Sequence, residues 1–217
     1  MTTHILAAMP EEVQALDRDK HSILTTGVGK VHAAIAGTRI FDAAWRSRSD
    51  DQILFIGTAA ACDPSLEIGD VVISTDTLHH DVDVTALGFE PGQIPFREDW
   101  IWRSDHELRT RATRVCEELG IRHVAGRIIT GDQFVSDPKQ VAKLHQTFGA
   151  ACIEMETAGL AQALVPPTHI HEFNVPWLGI RVISDKADKS APVDFNEFLP
   201  RASETLSRIV EGILSSE

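Results

Sequence analysis

Two short segments join apolar residues to acids: Cys152-Ile153-Glu154-Met155-Glu156-Thr157 and Arg181-Val182-Ile183-Ser184-Asp185. Each ends an apolar run in a carboxylate. An isolated carboxylate in low dielectric costs on the order of several kcal/mol unless it is paired or hydrogen-bonded. Acids so placed point to an active site built at strand ends, with Glu156 and Asp185 in it.

Residues 177–185 read as a strand, whose alternation puts Arg181, Ile183 and Asp185 on one face. Two readings of the charges stay open. Arg181 and Asp185 salt-bridge each other or a neighbour, or Asp185 meets a ligand at the strand's exit. Glu156 starts a helix, where a carboxylate is favoured by about 0.3–1 kcal/mol. Alone it reads as a cap, yet Glu154 stands two residues earlier, and two acids there are hard to explain by capping. Met9-Pro10-Glu11-Glu12 follows the first strand, and either glutamate could be a solvated helix-start residue. Gly57-Thr58-Ala59-Ala60-Ala61 follows a buried strand and offers backbone N–H groups to an anion or polar ligand. His79-His80-Asp81-Val82-Asp83 has metal-ligand types. Neighbours in an extended segment point opposite ways, so no metal is expected there.

The elements that must position these residues alternate along the chain. Strands are expected at 5–9, 22–26, 53–57, 70–74, 123–130, 151–153 and 177–183. Helices are expected at 11–17, 30–46, 105–119 (capped by Ser104), 138–148 (capped by Asp137, with Pro138 first), 154–164 and 195–214. This order implies one domain over 1–217, an α/β/α three-layer fold around a central mixed, largely parallel sheet. In such sheets ligands bind at the carboxyl ends of strands.

Composition sets the outer limits. The chain has 217 residues, 43% hydrophobic and 24% charged, with a net charge of −12. That charge disfavours a nucleic-acid partner, whose phosphates are held by clustered Lys and Arg. No apolar run approaches the roughly 20 residues that span a bilayer, so no membrane partner is expected. The N-terminus lacks the basic and long apolar regions of a signal peptide. Cys62, Cys116 and Cys152 lack CxxC spacing and read as free thiols of a reducing cytoplasm.

The segments combine into a pattern. Met9-Pro10-Glu11-Glu12-Val13, Gly27-Val28-Gly29-Lys30, Gly57-Thr58-Ala59, the run from His80 to Ala86, Gly92-Gln93-Ile94-Pro95, Thr130-Gly131-Asp132-Gln133-Phe134, Ile153-Glu154-Met155-Glu156 and Arg181-Val182-Ile183-Ser184-Asp185 resemble the nucleoside phosphorylase/nucleosidase superfamily. Within it, order and spacing are similar to the 5′-methylthioadenosine/S-adenosylhomocysteine nucleosidases. The resemblance implies cleavage of a purine N-glycosidic bond through an oxocarbenium-like transition state, without a cofactor. Asp185 then matches the acid that protonates purine N7, which requires a desolvated carboxyl to hold that proton near neutral pH. Glu12 matches the residue that positions and activates water, and Arg181 the one that helps hold that glutamate. Glu156 matches the ligand of the ribose hydroxyls, Met155 the residue beneath the sugar, and Phe134 the ring that stacks on adenine. Val135 matches the backbone that reads the purine edge, and Ser184 the helper beside the acid. Glu154, Val28, Thr58 and Ala59 fall in the same cavity by position, and Phe195 near the 5′ substituent. The resemblance also implies a homodimer, with Val84, Leu87 and Pro95 closing the neighbour's 5′-alkylthio pocket.

Departures from the pattern bear on the reaction. Superfamily phosphorylases carry an arginine where this chain has Phe55, and another in the N-terminal phosphate loop, where this chain has Met9-Pro10-Glu11-Glu12. Hydrolysis is therefore expected over phosphorolysis. The stretch between Glu12 and Gly27 is short by roughly a hairpin, so one or two strands are expected to be missing. Ala60 and Ala61 replace glycines, Leu87 replaces an aromatic, and the connection at 165–173 is long. The alternatives are a futalosine or aminodeoxyfutalosine hydrolase, another purine nucleosidase of the superfamily, and a non-catalytic nucleoside-binding protein. The last would be expected to lack one of the acids.

Overall fold

The computed structural model, described over residues 2–165, 173–187 and 191–215, is built around a single mixed sheet. β3 (Gln52–Ala61) and β8 (Trp177–Asp185) are buried at every position. Strands covered on both faces read as continuous apolar runs, which is how both appear in the sequence. The remaining strands are β1 (Thr3–Ala7), β2 (Ser22–Thr25), β4 (Val71–His79), β5 (Trp102–Arg103), β6 (His123–Thr130) and β7 (Ala150–Glu154).

β2, β1, β3 and β8 run parallel side by side. β8 then pairs antiparallel with β4, β4 parallel with β6, and β6 parallel with β7. The far end of β3 returns to β7 through Ala60 and Ala61. β3, β8, β4, β6 and β7 thus close into a ring, and the sheet is mixed but largely parallel. The short stretch after Glu12 still supplies an edge strand, β2, in register with β1.

Helices cover both faces. α2 (His106–Glu118) and α5 (Ala191–Ser215) pack on one side, through Leu108, Val115, Leu206 and Ile209. α1 (Lys30–Ser47) and α4 (Thr157–Leu164) pack on the other, through Phe41, Phe55, Leu160 and Trp177. α3 (Pro138–Phe148) lies against a third cluster with Ile129 and Ile153. Asp137 caps α3 by accepting from the Lys139 N–H, with Pro138 at the first position.

Several expectations are corrected. α2 is capped by Asp105, whose side chain accepts from the Leu108 N–H; the Ser104 hydroxyl instead donates to the carbonyls of Ser74 and Thr75. The expected helix at 11–17 is a single 3-10 turn, Pro10–Val13, because the chain must turn at once to bring Glu12 inward. β3 does not stop at Gly57 but runs on through Ala61, so the supposed anion-binding turn is strand. β4 likewise extends to His79. A bulge between β3 and β8 pairs Ile183 with Ala59 but Asp185 with Ala60. One extra residue, Ser184, reverses the alternation, so Asp185 leaves the face of Arg181 and Ile183. The long connection at 165–173 lies outside the described residues except at its ends.

α1 and α4 cross closely because both carry glycine at the contact. A Cβ on Gly159 would lie 2.5 Å from the Lys30 carbonyl oxygen, and one on Gly37 would lie 3.0 Å from Leu160 Cδ1. Gly159→Ala is expected to push the start of α1 off α4 and lower stability by about 1–3 kcal/mol, the usual range for overpacking. Urea unfolding of the variant checks this, and an unchanged midpoint would count against so tight a crossing.

Candidate active site

The carboxyl ends of β1, β3, β6, β7 and β8 converge on one cleft of about 230 Å³. Its lining includes Met9, Glu12, Val28, Thr58, Ala59 and Ala60 from the β1, β2 and β3 ends. Gln133, Phe134 and Val135 come from the loop after β6, and Ile153, Glu154, Met155 and Glu156 from β7 and the turn after it. Ser184 and Asp185 come from β8, and Phe195 from α5. The structure therefore gathers the expected carboxylates and apolar walls in one place. Sequence reasoning assigned no role to Met9, Gln133 or Ile153, though all three lie inside quoted motifs.

Glu12 enters at the base of the cleft. Its Oε2 accepts from the N–H groups of Ala8 and Met9, each at 3.1 Å. Its Oε1 accepts from the Thr58 N–H at 2.9 Å and the Thr58 hydroxyl at 3.0 Å. A Cβ on Gly57 would lie 2.8 Å from that Oε1, so bare backbone there lets the carboxylate in. Burial raises the Glu12 carboxyl above its ordinary range, against the lowering effect of the Thr58 N–H and the Arg181 charge.

Arg181 lies behind the cleft, 2% exposed. The resemblance led us to expect Arg181 to hold Glu12; the structure gives it another partner. Its Nη2 is 2.7 Å from Glu154 Oε2 and 2.7 Å from Thr157 Oγ1, and its Nε also reaches Glu154. Nη1 donates to the carbonyls of Phe55 and Ile180. No hydrogen bond or ion pair joins Arg181 to Glu12 among the described residues; the charge acts on Glu12 across Gly57. Phe55 lies beneath the guanidinium, its ring centroid 4.7 Å from Cζ.

Glu154 lines the cleft as well, but as a carboxylate already held on all sides. Its oxygens already accept from Arg181, the hydroxyls of Thr130 and Thr157, and the N–H groups of Glu156 and Thr157. It anchors the start of α4 and neutralises Arg181, with no acceptor site left over. Glu156, the N-cap residue of α4, turns into the cleft. Its Oε1 accepts from the Gly29 N–H at 2.8 Å and its Oε2 from the Met155 N–H at 3.2 Å. Gly29 holds φ 99° at the head of α1, a conformation that favours glycine. Burial first, and the neighbouring Glu154 charge second, push the Glu156 carboxyl up to about 8.

Asp185 is buried at the cleft wall. Its Oδ1 accepts from the Ala187 N–H at 2.8 Å, and its Oδ2 is 2.9 Å from the Ser184 hydroxyl. Phe134 and Phe195 face each other edge to face, with centroids 6.4 Å apart, and form the apolar mouth. Val84, Leu87 and Pro95 do not line this cleft. Leu87 sits in a 3-10 turn, Thr85–Leu87, and is 72% exposed. His79 and Asp81 are taken by other partners, Gln162 and Lys30.

A cleft of buried acids at strand ends can protonate a leaving group, grip hydroxyls and orient water. The comparisons agree with that geometry. The family described as Phosphorylase superfamily matches residues 13–215. A 5′-methylthioadenosine/S-adenosylhomocysteine nucleosidase of Tolumonas auensis is 39% identical over 198 residues, spanning 89% of this chain and 81% of the relative. The chain belongs to the phosphorylase superfamily, in its 5′-methylthioadenosine/S-adenosylhomocysteine nucleosidase family. A crystal structure of such a nucleosidase from Neisseria meningitidis, in complex with methylthio-immucillin-A, superimposes with TM-score 0.85 at 31% identity. It covers 100% of this chain and 99% of that one. A futalosine hydrolase mutant of Helicobacter pylori reaches TM-score 0.87 at 25% identity, covering 100% of both chains. Within this nucleosidase family frame, Phe55 is a buried neighbour of Arg181 and presents no cation to the cleft.

The raised Glu156 carboxyl has a consequence for stability. Between its ordinary value of 4.5 and about 8, the folded chain holds a proton that the unfolded chain has released. Stability from this group is complete below the lower value and is lost as pH rises through the upper one, at most roughly 1.4 kcal/mol per pH unit. Glu156→Gln is expected to remove that slope and gain on the parent chain as pH rises from about 4.5 to 8. Denaturant unfolding across the window tests it; parallel curves for the two chains would contradict a buried, protonated Glu156.

Proposed function

We propose that the chain hydrolyses the N-glycosidic bond of 5′-methylthioadenosine and S-adenosylhomocysteine, releasing adenine and the thioribose product. One observation carries the choice of water over phosphate. The acid at the base of the cleft, Glu12, is held on three backbone N–H groups, and the phosphorylase arginine position is Phe55. A fixed carboxylate repels phosphate and can take a proton from water.

In this reading Asp185 gives its proton to purine N7, and the C1′–N9 bond breaks with its electron pair leaving on adenine. Water, oriented by Glu12, adds to C1′ and passes its proton to that carboxylate. Glu156 grips the ribose hydroxyls above Met155. Phe134 stacks on the base, the Val135 backbone reads its edge, and Ser184 steadies Asp185. Val28, Thr58 and Ala59 shape the pocket, with Phe195 toward the 5′ end. Arg181 acts through Glu154 and Thr157 as a positioning residue.

The working unit is a homodimer in which Val84, Leu87 and Pro95 close the neighbour's 5′ pocket. Supporting it are the outward Leu87, Phe96, Val31 and Ile35, large apolar residues left exposed in the single chain. The enzyme works in the cytoplasm, in methionine salvage, on a small-molecule nucleoside and not on nucleic acid or membrane. Supporting this are three free, buried thiols and a net charge of −12. Among the described residues, no helix is long and apolar enough to cross a membrane.

Adenine release from 5′-methylthioadenosine is expected in phosphate-free buffer. Appearance of a ribose 1-phosphate product when phosphate is added would overturn the hydrolytic reading. A panel including adenosylhomocysteine and aminodeoxyfutalosine decides against the futalosine hydrolase that shares the fold. Asp185→Asn is expected to lower turnover about 10²–10⁴-fold, the usual worth of a general acid. Unchanged turnover would remove Asp185 from that role.

A further inference from the structure

The acid of the His79-His80-Asp81 segment has no part in the chemistry above, yet it joins the two halves of the cleft. Asp81 bonds Lys30 Nζ through both oxygens, at 2.8 and 2.7 Å, and its Oδ2 accepts from the Asp132 N–H at 3.0 Å. The Lys30 N–H donates back to Asp132 Oδ1 at 3.0 Å. One residue before Lys30, the Gly29 N–H holds Glu156; two residues after Asp132 comes Phe134. The knot therefore ties the loop that fixes the sugar clamp to the loop that carries the base shelf.

The surrounding backbone leaves this knot little play. The His80 N–H donates to the Thr130 carbonyl at 2.9 Å, and the Gly131 N–H to the Glu154 carbonyl at 3.1 Å. A Cβ on Gly131 would sit on the His80 ring. On the other side, Gly159 packs against the Lys30 carbonyl. Lys30 and Asp81 side chains are each 21% exposed, so solvent screens their attraction and its contribution to stability is small. What the pair supplies is geometry: two chelated contacts that set one spacing.

We propose that Asp81 is a positioning residue that fixes the distance between Glu156 and the Phe134–Val135 shelf. The inference rests on the nucleosidase reading of the cleft. A nucleoside engages shelf and clamp at once, whereas free adenine engages the shelf alone. Loosening the spacing must therefore weaken the nucleoside far more than the base.

The test measures two affinities by titration calorimetry on the full chain. One ligand is adenine. The other is a C-nucleoside analogue of 5′-methylthioadenosine, whose carbon–carbon glycosidic bond resists hydrolysis. Asp81→Asn is expected to weaken the analogue about 10-fold or more and adenine no more than about twofold, since small misplacements carry large effects only where two contacts must be met together. Lys30→Met, which breaks the same knot from its other side, is expected to give the same split, and the double variant no further loss. Equal weakening of both ligands, or no change in either, overturns the role of Asp81. Failure of the parent chain to bind either ligand overturns the nucleosidase reading, and this inference with it.

Discussion

The buried pair of Arg181 and Glu154 is the constraint around which the cleft is built. A guanidinium out of contact with water is costly to bury, and such a pair seldom adds net stability over an apolar replacement. It persists only when every donor finds an acceptor. Here Glu154, Thr157 and the carbonyls of Phe55 and Ile180 take up the donors, and the Phe55 ring covers the cation. Burial alone would lower the Arg181 pKa; the charge and hydrogen bond of Glu154, together with the Glu156 and Glu12 charges, outweigh it and keep the cation. Each partner is the end of a site element. Glu154 closes β7 and opens α4, which sets Glu156; Phe55 lies in β3, three residues before the Thr58 that holds Glu12. Removing one member would leave the other charged and dry, and both elements would lose their register.

One cation serves several carboxylates in that space. Glu154 takes its charge directly, so Glu12 and Glu156 feel a partly neutralised arginine, and burial raises both. The field in the cleft is thus inhospitable to a further anion. Water and an uncharged nucleoside fit such a field and phosphate does not, because charge–charge repulsion strengthens as solvent is excluded. Phe55 belongs to the same design. An arginine at that position would compete with Arg181 for the same acceptors, whereas an aromatic ring stabilises it.

The sequence disclosed much of the fold because β3 and most of β8 read as apolar runs and α3 opens on a clear cap. Asp137 and Pro138 mark α3 without ambiguity. Boundaries failed where a tertiary partner decided them. Gly57 looked like the end of a strand, but pairing with β8, and then with β7, carries β3 on through Ala61. Ser104 and Asp105 both suit a helix start; Ser104 is drawn off by the carbonyls of β4, leaving Asp105 to cap. The site's residue types were legible as motifs. Their pairings were not, since alternation gave no warning of the bulge at Ser184 and nothing local ties Arg181 to Glu154 across 27 positions of chain. The three acids 12, 154 and 156 look alike in sequence. All three line the cleft, and the donors around them distinguish the saturated Glu154 from the other two.

The way those donors are supplied also separates the acids from one another. Glu12 accepts backbone N–H bonds at both oxygens, and these favour the carboxylate form there. An amide of the same shape would turn an NH₂ group toward an N–H, and the conflict is buried. Asp185 is held differently. Its Oδ1 accepts from the Ala187 N–H, but its Oδ2 meets the Ser184 hydroxyl, which can donate or accept by rotating. The Asp185 position can therefore carry a proton, or an NH₂ in its place, without losing that contact. A residue that starts the reaction protonated is helped by such a reversible neighbour, and one that starts it ionised is helped by fixed donors. In the proposed reaction, the polarity of these hydrogen bonds suits Asp185 to the proton donor's place and Glu12 to the water acceptor's place.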